Sequence, residues 1–200
     1  NIKTAPHYLI RLKSGELAYI TKRVDRVKNS KLHMEDMCQL TERMTGQKYK
    51  GSHEQVGKAI QKFAANPGFN LINYYELVLF CYLTGNNDMH LKNFSLLKNQ
   101  SKKYNLCPAY DLVASELVVE GDDEELALNL NGKKRKLKRK DFVAAMKTNK
   151  INDKAIENVF AKFEDNLPSW CDTIDISFLS PEMKEAYKEM IQLKFEKIYS

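Results

Sequence analysis

The sequence predicts an α+β fold that is predominantly helical and carries short β-hairpins. Two observations predict it: apolar residues recur at helical spacing in several long stretches, and short alternating stretches flank turn residues such as Ser14-Gly15 and Asn131-Gly132. The chain has 200 residues, of which 43% are hydrophobic, so it can bury a core as one domain or as two small lobes.

The first 64 residues are predicted to pass from strands to helices. Two strands meet at the Ser14-Gly15 turn, and a polar loop follows them. The next stretch is predicted to be helical because its apolar residues, among them Met37 and Leu40, fall along one side. The predicted elements are strands at 7–12 and 17–24, a loop at 25–31, and helices at 33–45 and 53–64.

A central helix is predicted at 71–84. Its apolar residues are nearly continuous, which is typical of a helix that lies in the centre of a core. Asn70 is predicted to cap its first turn, and Gly85 is predicted to end it.

Beyond the central helix the sequence predicts two hairpins and three helices. The Asn131-Gly132 pair is a strong signal for a tight hairpin turn. The Asn166-Leu167-Pro168 stretch is interpreted as a helix stop. The predicted strand pairs are 94–97 with 104–106 and 126–130 with 133–137, and the predicted helices are 139–148, 152–165 and 180–198.

A polar loop between the central helix and the first of these hairpins carries most of the chemical information. Its sequence, GNNDMHLKNFSLL at 85–97, places Asn93 five residues after Asp88, and Asp111 follows eighteen residues later across a short hairpin. Phosphoryl transfer from ATP needs one carboxylate near the attacking hydroxyl and two oxygen ligands for magnesium. The spacing therefore predicts a phosphoryl-transfer site.

Each polar residue of this loop has a role in that interpretation. Asp88 accepts the proton of the substrate hydroxyl or orients it, and Asn93 and Asp111 offer a neutral and a charged oxygen to magnesium. Lys92 neutralises phosphate charge, and His90 fixes the loop or touches the nucleotide. The alternative is that Asp and Asn cap turns around a hairpin. The helix before the loop and the hairpin after it favour the catalytic interpretation.

Four blocks at fitting spacings resemble the HipA-type serine/threonine kinases, toxins of bacterial toxin–antitoxin systems. The resemblance runs in order from about residue 16 to the C-terminus, through LHMEDMCQL, GNNDMHLKNFSLL, PAYDLVAS and ALNLNGKK. It implies a protein-kinase-like C-terminal lobe in which Asp88 is the catalytic base and Asn93 and Asp111 bind Mg²⁺. It also implies that the protein binds ATP together with Mg²⁺.

The same resemblance implies where ATP binds. The Lys22-Arg23-Val24 stretch falls where the hinge of the family meets adenine through backbone groups. Tyr110 borders the phosphates together with Asp111, and His90 lies in the catalytic loop. The chain then divides into short strands with the hinge at 1–24 and a helical lobe with the catalytic and metal-binding loops at 25–200.

One part of the family pattern is missing from the sequence. Members carry a small lobe with a phosphate-covering loop and an ATP-pairing lysine upstream of the hinge, whereas only about twenty residues precede the hinge here and none form a Gly-rich loop. Lys3, Lys13 and Lys22 are poor candidates for that lysine. Because the chain also does not begin with Met, we expect a fragment or processed chain, with the ATP-covering lobe upstream or on another chain.

The resemblance further implies the partners. These are a helix-turn-helix antitoxin, DNA only indirectly through that antitoxin, and a protein substrate of the translation machinery, since family substrates include an aminoacyl-tRNA synthetase. A cytoplasmic location is expected because no apolar run is long enough for a membrane span, no signal peptide is visible and no cysteine forms a CxxC pair. The alternative function is a non-catalytic C-terminal lobe that binds a protein or nucleic acid.

A basic run at 133–140 places seven positive charges in eight residues. Together with a net charge of +6, it suits an anionic partner such as tRNA or an acidic substrate. The alternative is a solvated hairpin edge protected by lysines. An acidic run at 120–125 lies nearby and is expected to neutralise it in part.

Overall fold

The computed structural model describes residues 2–119 and 121–200, and it confirms a predominantly helical α+β fold. Asn1, and Glu120 of the acidic run, lie outside the described residues. The helices are α1 (Met37–Leu40), α2 (His53–Phe63), α3 (Pro67–Leu83), α4 (Arg139–Thr148), α5 (Asp153–Glu164), α6 (Leu167–Asp175) and α7 (Pro181–Tyr199). The strands are β1 (His7–Arg11), β2 (Leu17–Thr21), β3 (Arg26–Val27), β4 (Ser30–Lys31), β5 (Met34–Asp36), β6 (Ser95–Lys98) and β7 (Tyr104–Leu106).

Helix α3 forms the centre of the core, as its composition predicts. Tyr74, Tyr75 and Tyr82 are completely buried in it. The helix begins four residues earlier than expected, because Pro67 occupies the first turn, where a missing N–H costs nothing. Asn70 is therefore not the cap. Its buried side chain instead accepts a hydrogen bond from the Leu106 amide at 2.6 Å, which ties α3 to β7.

The predicted helix at 33–45 is wrong at both ends, since only Met37–Leu40 is α-helical and Glu42 already has a φ of +56°. Residues Met34–Asp36 form β5, which pairs antiparallel with β6, and β6 pairs in turn with β7. Asp36 then caps the short helix α1, where its carboxylate accepts a hydrogen bond from the Gln39 amide and the Gln39 side chain accepts one from the Asp36 amide. Because a cap residue is extended, the chain cannot be helical on both sides of Asp36.

The N-terminal hairpin β1–β2 is present where the sequence predicts it. Gly15 takes a φ of +92° in its turn, a conformation that favours glycine. All five residues of β1 are exposed, and in β2 only Ala18 is half-buried. The chain leaves β2 through Lys22, whose amide donates to the Pro6 carbonyl at 2.8 Å.

The predicted strands at 126–130 and 133–137 are not formed, although the turn between them is. Asn131 and Gly132 both have positive φ, as the turn requires, but the residues that flank them share only one isolated bridge, Leu130 with Lys133. Hydrogen bonds to other parts of the chain take the place of the ladder. The Asn129 amide donates to the Gly51 carbonyl, and the Leu137 amide donates to the Glu125 carboxylate.

The C-terminal helices agree with prediction except for α6, which the sequence interpretation missed. Asn166 does follow the end of α5, but a new helix begins at the next residue, with Pro168 in its first turn. Trp170 of α6 packs edge-on against Phe80 of α3 and Phe195 of α7. None of the helices in the described ranges is long and apolar enough to cross a membrane.

Candidate functional site

The loop with Asp88 leaves the core in a fixed direction. Helix α3 ends at Leu83, and Gly85 follows with a φ of +69°. A side chain at Gly85 would place its Cβ 2.5 Å from Cε of Met190 in α7, but this flexible side-chain end can move aside, so it is the positive φ that favours glycine. The Asn86 amide donates back to the Cys81 carbonyl at 2.8 Å, which continues the helix end into the loop.

Short turns hold the rest of the loop. The His90 amide donates to the Asp88 carbonyl at 2.8 Å, and the Asn93 amide donates to the His90 carbonyl at 3.0 Å. Asn86, His90 and Asn93 are buried, while Asp88 is exposed. The loop therefore presents the Asp88 carboxylate to solvent from a backbone that is fixed on the protein side.

The two predicted metal ligands lie in direct contact. The Asn93 side-chain amide donates from Nδ2 to Oδ2 of Asp111 at 2.5 Å. Asp111 takes a left-handed φ of +58°, which aspartate tolerates better than most residues. The structure thus joins residues that are eighteen positions apart, as the spacing predicts.

The donor set of this pair fits magnesium. The side-chain oxygen Oδ1 of Asn93 is buried and has no hydrogen-bond partner among the described residues. A buried acceptor without a partner is unfavourable, and a bound cation would satisfy it. No group of three or more His, Cys, Asp or Glu within 2–119 and 121–200 could hold a metal. A magnesium site needs only one or two protein oxygens, together with water and phosphate.

Tyr110 connects the metal-ligand segment to the Asp88 loop. Its hydroxyl donates to the Lys92 carbonyl at 3.0 Å and accepts from the Ser95 hydroxyl at 2.6 Å. Burial raises the pKa of Tyr110, so its phenol stays protonated. Lys92 is exposed, and its ammonium is free to approach an anion at the edge of the site.

The predicted hinge shares a cavity with Tyr110. The cavity has a volume of about 240 Å³ and is lined by Ala5, Thr21, Lys22, Arg23, Val24, Asp25, Met34 and Tyr110. The Arg23 guanidinium is already paired with buried Asp25 at 2.8 Å, and this contact lowers the pKa of the Asp25 carboxyl. Of the hinge residues, Lys22 and Val24 line the cavity without an ion pair to a described residue.

His90 is buried beside Tyr49, and its role in fixing the loop or contacting the nucleotide stays a prediction. Burial and the charge of Lys48 lower its pKa, so the imidazole is neutral near pH 7. Its ring packs edge-on against Tyr49, with ring centroids 5.0 Å apart. Its Nδ1 has no partner among the residues that the structure describes.

Two residues at the site were missed by the sequence analysis. Tyr49 donates a hydrogen bond to Oδ1 of Asp88 at 2.7 Å across 39 residues of chain. The Ser115 hydroxyl donates to the side-chain oxygen of Asn87 at 2.5 Å and accepts from the Asn87 amide at 3.1 Å. Tyr49 belongs to no spaced motif, and Ser115 stands at the end of the PAYDLVAS block without a spacing that links it to Asn87, so no local pattern points to these contacts.

The acidic run neutralises part of the basic run, as expected. Lys134 pairs with Glu124 at 2.8 Å, and Arg135 pairs with Asp123 at 2.7 Å. Within the described part of the chain no ion pair is formed by three exposed lysines: Lys136, Lys138 and Lys140. They line a cavity of about 560 Å³ next to the N-terminus of α4.

Comparison with known proteins identifies a matching family and several relatives of this chain. The model of the HipA-like C-terminal domain family matches residues 1–171. A protein from Sinorhizobium fredii named "Putative kinase Y4dM" is 34% identical over 125 residues, which is 60% of this chain and 30% of that protein. A Haemophilus influenzae protein with the same kind of name is 32% identical over 110 residues, 50% of this chain and 31% of its own length.

Solved structures show the same fold. HipA from Shewanella oneidensis MR-1, in a complex with HipB and operator DNA, superposes with a TM-score of 0.83 at 18% identity. The match covers 98% of this chain and 52% of that one. The proinflammatory kinase CtkA of Helicobacter pylori superposes with a TM-score of 0.66 at 19% identity, over 98% of this chain and 75% of that one. The chain thus spans about a third of the length of the two curated relatives and about half of the length of the HipA chain.

Proposed function

Because the chain belongs to the family of HipA-like C-terminal domains, we propose that it carries the catalytic and magnesium-binding residues of an ATP-dependent serine/threonine protein kinase. The observation that carries the proposal is the contact of Asn93 with Asp111, which leaves a buried amide oxygen without a partner on the loop that also presents Asp88. Caps around a hairpin turn would not need that unsatisfied oxygen.

Asn93 and Asp111 would hold magnesium in this proposal. When bound, the ion neutralises charge on the phosphates of ATP as the γ-phosphoryl group is transferred. Lys92 lies on the same loop and adds a further positive charge from the solvent side. The protein contributes positions rather than covalent chemistry, so the fixed backbone of the loop is the relevant property.

Asp88 is the proposed catalytic base. Its carboxylate is exposed, so a serine or threonine hydroxyl of a protein substrate can reach it. It accepts the hydroxyl proton, or orients the hydroxyl, while the oxygen attacks the γ-phosphorus and ADP leaves. Helix α3, which ends just before the loop, fixes the position of Asp88.

ATP is proposed to bind with its base in the hinge cavity. The cavity brings the Lys22-Arg23-Val24 backbone close to Tyr110, and Tyr110 is followed directly by Asp111. We place residues 1–200 in one C-terminal kinase lobe, with the hinge at its start. In this proposal the ATP-covering lobe is a separate unit, either upstream or on another chain. The match to only 30% and 31% of the curated relatives supports this division.

The proposed partners follow from the family. The Shewanella HipA structure contains HipB and operator DNA, which supports a helix-turn-helix antitoxin as partner here, with DNA contacted only through it. The proposed substrate is a protein of translation such as an aminoacyl-tRNA synthetase. The proposed location is the cytoplasm, which agrees with four free cysteines: Cys38, Cys81, Cys107 and Cys171.

A second candidate function is a binding module without catalysis. The observation that favours it is a set of three exposed lysines that form no ion pair with a described residue, Lys136, Lys138 and Lys140, beside a concave surface. Such a surface suits the phosphates of a nucleic acid or an acidic protein segment.

Transfer of labelled phosphate tests the proposal. The complete protein, with its ATP-covering lobe, is incubated with γ-labelled ATP, magnesium and a serine- and threonine-containing protein substrate. We expect incorporation that requires magnesium and that phosphoamino acid analysis assigns to serine or threonine. If no phosphate is incorporated and the protein binds nucleic acid in a salt-dependent way through the three lysines, the binding module is favoured instead.

A further inference from the structure

The hydrogen bond between Tyr49 and Asp88 is not required by the proposed phosphoryl-transfer step. The phenol hydroxyl donates to Oδ1 of the carboxylate at 2.7 Å, while Oδ2 forms no hydrogen bond with any described residue. A carboxylate has two equivalent oxygens and can turn about its last bond. Anchoring one of them fixes the direction of the other.

The segment that carries Tyr49 is itself fixed to the site. The Leu91 amide, in the Asp88 loop, donates to the Lys48 carbonyl at 3.1 Å. On the other side of Tyr49, the Asn129 amide donates to the Gly51 carbonyl at 3.2 Å. Backbone bonds therefore hold the residue before Tyr49 to the Asp88 loop and the second residue after it to the 126–130 stretch.

Burial does not explain the position of Tyr49. The residue is 44% exposed, so it is not part of the core. Its ring is oriented by the edge-on contact with His90 and by the Lys48 ammonium, which lies 4.9 Å from the ring centroid. The hydrogen bond with Asp88 raises the pKa of Tyr49 to about 12, so the phenol is a proton donor at neutral pH.

We propose that Tyr49 is a positioning residue, which holds Oδ1 of Asp88 so that Oδ2 faces the acceptor hydroxyl. The proposal rests on the proposed kinase function, because it concerns the same carboxylate. Positioning of this kind matters because phosphoryl transfer depends on alignment, and small displacements of a reacting group cost large factors in rate.

The competing interpretation is that the Tyr49 hydroxyl occupies the place of the acceptor and must leave before substrate binds. A distance of 2.7 Å is within the reach of a general base for its substrate. The backbone bonds at Lys48 and Gly51 argue against displacement, because the segment would have to break them. The two interpretations predict opposite effects of removing the hydroxyl.

Tyr49→Phe in the complete kinase separates them. Loss of positioning is expected to lower kcat roughly 10- to 100-fold and to leave the KM for ATP unchanged. Tyr104→Phe is the matched control. It removes a phenol hydroxyl that lies 3.2 Å from Nδ1 of His33 and has no contact with Asp88, so it is expected to keep wild-type kinetics. An unchanged kcat in Tyr49→Phe, or a higher kcat/KM for the protein substrate, would overturn the proposal.

A second measurement does not depend on phosphoryl transfer. Carbon-13 labelling of the tyrosine ring, with Tyr49→Phe for assignment, follows the ionisation of Tyr49 by NMR. In Asp88→Asn its pKa is expected to fall from about 12 towards the ordinary 10.0. A Tyr49 titration unchanged in Asp88→Asn would overturn the contact itself. A wild-type enzyme without transfer would instead overturn the proposed function, and the positioning role with it.

Discussion

Helix α3 and the β1–β2 hairpin both carry large apolar side chains, but those of α3 are buried and those of the hairpin are exposed. In α3, Tyr74, Val78 and Leu79 are completely buried, and the Asp88 loop continues directly from its end. In the hairpin, Tyr8 is 63% exposed and Tyr19 is 61% exposed. A two-stranded hairpin of this kind is marginal by itself in water.

The difference separates the two halves of the proposed site. Residues proposed to act on the acceptor and the metal, Asp88 and Asn93, are positioned by the core of this chain. The hinge at Lys22-Arg23-Val24 is held by the Lys22 amide, which donates to the Pro6 carbonyl, and by the Arg23–Asp25 ion pair, but the described residues leave the hairpin before it uncovered. A lobe that packs on the hairpin would complete it.

The largest effect is expected from Asp88→Asn, which changes only the core-supported half. Because Asp88 acts on the acceptor hydroxyl and not on the nucleotide, the substitution should lower kcat by about 10²- to 10⁴-fold and spare ATP affinity. Single-turnover transfer and calorimetric ATP binding in the complete kinase measure the two quantities. Transfer at nearly the wild-type rate would rule out Asp88 as the base.

Asp111→Asn and Asn93→Ala are expected to abolish magnesium-dependent nucleotide binding with little loss of stability. Asp111 is exposed and an asparagine there can still accept from the Asn93 amide, while Asn93→Ala removes an oxygen that has no partner among the described residues, so neither substitution should unfold the protein. Calorimetric titration with Mg-ATP beside thermal melts checks both parts. Asp165→Asn, the same change at an exposed residue after α5, serves as control. Unchanged affinity in both site variants would exclude the magnesium assignment.

How far the sequence predicts these regions depends on how local the signal is. The α3 helix and the pairing of Asn93 with Asp111 are predictable because apolar periodicity and residue spacing are visible in short stretches. The roles of the site residues stay predictions. Strand β5 was missed because its pairing with β6 bridges about sixty residues of chain, so tertiary pairing outweighed the helical pattern. Tyr49 reaches Asp88 across 39 residues, and no window around either residue contains that contact.

A smaller effect on the core side is expected from Gly57→Ala in α2. The new Cβ would lie 2.0 Å from Oδ1 of Asn149, whose buried side chain accepts from Tyr75 and donates to the Glu54 carbonyl. Overpacking should cost about 1–3 kcal/mol of unfolding free energy, despite the better helix propensity of alanine. Gly68→Ala is the control, because nothing lies within 4 Å of its Cβ position and the helix should gain slightly. Equal urea midpoints for the two variants would contradict this packing.

The smallest effect is expected on the hairpin side, from Ile10→Thr. Ile10 is 41% exposed, so the substitution should change the unfolding free energy of this chain by less than about 0.5 kcal/mol. The same substitution at Ile60, which is completely buried in α2, should cost about 2 kcal/mol or more, because it removes a methyl group and buries a hydroxyl. Urea unfolding of both variants gives the comparison directly. If Ile10→Thr were as costly as Ile60→Thr, the hairpin would already be covered in solution, and the contrast with α3 would not hold.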